Sequence, residues 1–166
     1  MDGVHMDNDD CRRAAYASVF SGACGVTYGC HAMWQFASIR AVPVNRPLGT
    51  WQESLHLPGA RQYGLLRKLM DTLPFGDLLP AHELASCESE GDWMPVRALA
   101  TTGHDLIVVY TSHGRPISVS ISGERRARWI NPRNGSFGGW FAFDRIATPP
   151  GGSGQGGDWI LLIERA

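Results

Sequence analysis

The chain has 166 residues, enough for one ordinary domain or two small ones with a real core. Hydrophobic residues at 43% against 19% charged fit a soluble globular protein, and 20 glycines and 10 prolines point to many turns. A formal net charge of -1 gives no argument for nucleic acid or an anionic membrane surface as a partner.

The leader from Met1 to Asp10 has neither a basic n-region nor an apolar h-region, so it does not read as a signal peptide. No apolar run approaches membrane-spanning length, and a cytoplasmic protein with no membrane partner is the expectation. The leader is acidic. Asp7, Asp9 and Asp10 put several oxygen donors on a short segment, a supply that suits a hard cation such as Ca2+. The glycine and distal glutamate of an EF-hand loop are absent, and the plainer reading is a solvated leader that caps the following helix.

From Arg12 to Phe20 the residues are mostly helix formers, and helical spacing groups Ala15, Val19 and Phe20 on one face. Gly22 and Gly25 stop that helix. Gly25 to Gly29 reads as a short buried strand, and Cys30 to Gln35 as the loop it feeds. Cysteines at 11, 24, 30 and 87 form no C-x-x-C pair and read as free thiols. Arg40 to Thr50 is an irregular loop with two prolines and a glycine. Thr50 then caps a short helix, with Glu53 completing a capping box. Pro58 opens a longer helix whose core face carries Tyr63, Leu66, Met70 and Leu73, and Pro74 and Gly76 end it.

Pro80 to Asp92 is polar, acidic and turn-rich, and marks a boundary between segments 1–80 and 81–166. Past it the pattern has period two. Strands are expected over Met94–Ala100, Leu106–Thr111, Ile117–Ile121, Ala127–Asn131, Trp140–Phe143 and Trp159–Ile163. His113 to Pro116 and Asn131 to Gly135 supply hairpin turns, and Pro149 to Gly157 a flexible loop between two strands. Six strands so spaced argue for a small antiparallel β-sandwich, and the whole for an α+β chain.

The run RRAAYASVFSGACGVTYGCHAMWQ resembles the late barrel segment of the apiosidase-like glycoside hydrolases, and PLGTWQESLHLPGARQYGLLRKLM resembles the outer helices that follow it. ARWINPRNG and GDWILLI resemble the appended β-sandwich domain, which carries an inherited collagen-binding label. The resemblance implies an α-rich N-terminal piece corresponding to the last part of a (β/α)8 barrel, followed by that sandwich. It also implies that the family's catalytic carboxylate pair would lie upstream of Asp10, outside this chain. The collagen-binding label is discounted, because a name inherited at the level of a fold does not establish binding.

If a barrel strand ends near Gly29, then Tyr28, His31, Trp34 and Gln35 stand at a substrate-facing end. A tryptophan beside polar donors is what a sugar site uses, an apolar ring face together with hydroxyl-binding groups. The alternative is that Tyr28 and Trp34 are core aromatics and His31 a surface histidine. The remaining histidines form neither H-E-x-x-H nor a dinuclear metal motif, and no serine stands in G-x-S-x-G. No catalytic residue emerges by name. Arg125, Arg126 and Arg128 beside Trp129 read as a solvated strand edge, not a nucleic-acid surface.

Three functions follow from this reading. The first is a glycoside-hydrolase-related accessory or truncated module that binds a saccharide. The second is a small hydrolase of an ester or lactone, assisted by a divalent ion such as Ca2+. The third is an interaction domain that forms a homo-oligomer.

Overall fold

The computed structural model describes residues 5–40, 42–88, 96–151 and 157–166. Asp2, Glu90, Asp92, Met94 and the centre of the Pro149–Gly157 loop lie outside them. The described chain is a mixed α and β structure with antiparallel sheets and few helices.

Helix α1 runs over Asn8–Phe20 and starts at a capping box, in which Asp7 accepts from the backbone of Asp9 and Asp10 while Asp10 accepts from Asp7. Its end is a Schellman motif. The Gly22 N–H reaches Val19 O and the Ala23 N–H reaches Ser18 O, with Gly22 left-handed at φ 98. Residues 25–29, expected as a strand, run without a ladder partner. A strand needs a neighbouring edge, and among the described residues none lies alongside. The expected loop after it winds into one helical turn, α2, at His31–Trp34. The Thr50–Glu53 capping box opens α3 at Trp51–Ser54, and Pro58 opens α4 at Pro58–Asp71, as expected.

Among the described residues nine strands follow: β1 Leu79–Pro80, β2 Ala85–Cys87, β3 Val96–Ala100, β4 Leu106–Thr111, β5 Ile117–Val119, β6 Arg125–Ile130, β7 Phe141–Phe143, β8 Ile146–Ala147 and β9 Trp159–Arg165. Six form one sheet in the order β1-β3-β4-β9-β6-β7, and β2-β5-β8 form a smaller one. Every pairing is antiparallel.

The large sheet is buried on both faces. Ala98, Ile107, Val109, Ala127, Trp129, Leu161 and Ile163 pack towards Ala85, Ile117, Val119 and Ala147 of the small sheet. The intervening residues Leu99, Val108, Tyr110, Ile130, Ile160 and Leu162 pack under α1 and α4, against Ala15, Tyr16, Val19, Phe20, Leu66, Leu69 and Met70. Burial on both faces explains why β4 and β9 read as continuous apolar runs.

Two further expectations change. His113 to Pro116 closes no hairpin, because β4 and β5 belong to different sheets and the turn crosses between them. The polar stretch from Pro80 is no mere boundary either: it holds the end of β1 and all of β2, and Ala81 and Ala85 enter the core. Short strands with mixed polarity escape a period-two reading. Asn131 to Gly135, by contrast, does turn β6 towards its partner β7, closed by the Gly135 N–H to Asn131 O. Among the described residues no helix is long and apolar enough to cross a membrane.

Candidate functional site

Tyr28 and Trp34 come together on one cavity of about 490 Å³, whose wall also includes Met33, Phe36, Ser54 and Leu55. Each is positioned locally. Tyr28 lies edge-on to Tyr63 at 5.2 Å between ring centroids and fits against α4 because Gly59 has no side chain. A Cβ there would stand 3.0 Å from the Tyr28 ring and 3.2 Å from Asn8 Oδ1. Burial, and then the Cys30 thiol, push the Tyr28 hydroxyl above its ordinary pKa, so it enters any chemistry as a neutral donor.

Helix α2 holds Trp34 outward with 59% of its surface exposed, and the His31 ring stands edge-on to it at 6.1 Å. Phe36 is 68% exposed and left-handed at φ 48, an uncommon backbone for a bulky residue. The sequence reading missed Phe36, because no local pattern signals a left-handed phenylalanine. Gln35 is placed otherwise than expected. Its amide clasps the Val44 backbone, with Nε2 donating to Val44 O at 3.0 Å and the Val44 N–H donating to Oε1 at 2.8 Å. That clasp ties the loop after α2 back to the helix and leaves Gln35 a positioning role. No carboxylate lines this cavity among the described residues.

The leader carboxylates have other work. Asp7 caps α1, Asp9 pairs with Arg12 Nη1 at 2.7 Å, and Asp10 pairs with Arg13 Nη2 at 3.0 Å. Backbone N–H donation from Asp10 holds the Asp7 carboxyl below its usual pKa. Among the described residues no three His, Cys, Asp or Glu side chains converge to hold a metal ion, so the residues here do not fit the expected Ca2+.

A buried polar network is one feature that the sequence did not signal. Arg12 and Asp158 are both fully buried, 146 residues apart, and meet in a bidentate pair: Nε to Oδ2 at 2.9 Å and Nη2 to Oδ1 at 2.8 Å. Gln62 Oε1 accepts from Arg12 Nη1, Tyr110 Oη donates to Asp158 Oδ2, and Arg133 Nη1 donates to Asp158 Oδ1 and O. Burial opposes the Arg12 charge, but Asp158 and then Asp9 outweigh it, and its pKa moves upward. Arg12 stands in one run that carried the family resemblance, Arg133 and Asp158 in the others. Nothing local in those runs signals that they meet.

Residues 2–77 match the family described as "Apiosidase-like, catalytic domain", and residues 88–164 match "Putative collagen-binding domain of a collagenase". Among curated proteins none matches the chain in sequence. Of solved structures, a glycoside hydrolase superposes with a TM-score of 0.86 at 27% identity, over 99% of this chain. A glycoside hydrolase family 5 protein from Bacteroides vulgatus ATCC 8482 superposes with the same TM-score at 26% identity, again over 99% of this chain. This chain spans 38% and 37% of their respective lengths. It is therefore similar over residues 2–77 to the apiosidase-like catalytic domain, over residues 88–164 to the collagen-binding-type domain, and along 99% of its length to part of a glycoside hydrolase.

Proposed function

We propose that the chain is a saccharide-binding module related to the glycoside hydrolases, which holds a sugar on the aromatic surface of Tyr28, Trp34 and Phe36 without cleaving it. The observation that carries this reading is the pair of exposed rings, Trp34 and Phe36, beside an apolar cavity with no carboxylate in its wall. Sugar C–H faces stack on such rings, while hydrolysis of a glycosidic bond needs two flanking carboxyl groups. Tyr28 Oη and the His31 ring supply polar contacts at the rim, and Gln35 keeps the loop in place.

The test is affinity electrophoresis in gels that contain neutral or acidic plant polysaccharides, run alongside turnover assays on aryl glycosides, esters and lactones. Retardation in at least one gel, abolished by Trp34→Ala and accompanied by no turnover, is the expected result. Turnover of any substrate overturns the non-catalytic part, and migration unaffected by every polysaccharide overturns the binding part.

A second reading rests on a separate observation. Ile39, Val42 and Leu48, on the loop beyond α2, are 95%, 96% and 80% exposed, an apolar surface that a second copy of the chain would cover. Light scattering on the same samples distinguishes this assembly role, which requires a dimer.

A further inference from the structure

A second cavity, of about 680 Å³, shares no residue with the aromatic one. Its lining residues include three arginines, Arg125, Arg145 and Arg165, together with His104, Ser118, Ser120 and Ser122, and no Asp or Glu. Such a lining is chemically one-sided: it offers donors and positive charge.

Arg125 is only 7% exposed, and the groups it donates to are all backbone carbonyls. Nη1 reaches His104 O at 2.8 Å, while Nε and Nη2 reach Ser122 O at 3.3 and 3.2 Å. No carboxylate pairs with it among the described residues. A buried charge balanced by dipoles alone is costly, and natural structures usually pair it. The sheet register sharpens the point. Arg125 on β6 stands directly opposite Arg165 on β9, a like-charge cross-strand pair that destabilises a sheet unless an anion lies between or above it. Arg165 also meets Asp105, but that pair is open to water on both sides. Arg145 is exposed and has no ion pair among the described residues. His104, which presents its carbonyl to Arg125, is left-handed at φ 54.

We infer that this cavity binds an oxyanion group, held by Arg145 and Arg165 at its mouth and by the fixed field of Arg125 behind them. Planar guanidinium groups match a carboxylate or sulfate with paired N–H donors, and the serine hydroxyls add neutral hydrogen bonds. An acidic sugar is the favoured carrier of that group, a step that rests on the saccharide reading above. The oxyanion site itself does not depend on it.

Calorimetric titration of the full chain with inorganic sulfate, glucuronate and glucose, at constant ionic strength, tests both parts. Saturable binding of sulfate and glucuronate, with none of glucose, is the expected result. Arg145→Ala and Arg165→Ala, both at exposed positions, each weaken binding by about tenfold or more. Saturable sulfate binding without glucuronate binding keeps the oxyanion site and overturns the acidic sugar. Heats that never saturate, or affinities unaltered in both arginine variants, overturn the site.

Discussion

Arg12 and Asp158 form a fully buried, bidentate ion pair at the centre of a polar network. Each fully buried ion would be prohibitively unstable alone, and the bidentate geometry with Gln62, Tyr110 and Arg133 satisfies what remains. Asp158→Asn removes the buried counter-charge and leaves the buried guanidinium with Asp9 as its remaining carboxylate partner. It should cost roughly 3–5 kcal/mol, read as a lowered urea midpoint. The double replacement of Arg12 by Met and Asp158 by Leu removes both charges together and should recover part of that loss. A double variant no more stable than Asp158→Asn would show that the network matters for more than charge balance. Tyr16, which stacks on Tyr110 at 5.3 Å, and Tyr110 itself are both pushed upward in pKa, first by burial and then by Asp158. Neither phenol therefore ionises near neutral pH.

At the scale of elements, the termination of α1 is tightly constrained. Gly22 satisfies two demands at once. Its φ of 98 is unfavourable for any residue with a side chain, and a Cβ there would lie 2.7 Å from Pro80 Cγ. Gly22→Ala should therefore destabilise the protein by about 1–2 kcal/mol or more, measured by chemical denaturation against wild type. A neutral effect would mean that the turn rebuilds and that Pro80 yields. The contact also joins the end of α1 to β1, where the large sheet begins. The same logic operates at Gly59, where the missing Cβ admits Tyr28 and so shapes the aromatic cavity.

At the scale of the whole molecule, the large sheet is a central layer. One face meets the small sheet and the other meets α1 and α4. A fragment comprising 79–166 would leave Leu99, Val108, Tyr110, Ile130, Ile160 and Leu162 bare and would strand Asp158 without Arg12. Such a fragment should aggregate or bind a hydrophobic dye strongly, whereas the full chain should not. A well-folded, monomeric fragment with a sharp thermal transition would contradict that expectation and show that the helices are an addition, not a layer.

The sequence by itself determined the local events: the capping box at Thr50, the proline start of α4, the glycine stop at Gly22, the turn at Asn131 to Gly135, and the positions of the longer strands. These depend on the conformational preferences of a few neighbouring residues and on periodicities of two or near 3.6, which one stretch of chain displays unaided. It also placed Tyr28 and Trp34 near one another, because only six positions separate them. Only the tertiary structure decided that β4 and β5 part into different sheets, that residues 25–29 stay unpaired, that Gln35 clasps Val44, and that Phe36 faces solvent. It alone set Arg12 against Asp158 and Arg125 opposite Arg165. Those outcomes turn on which distant surfaces exclude water together, and a register or a buried ion pair has no sequence signal until both partners are in place.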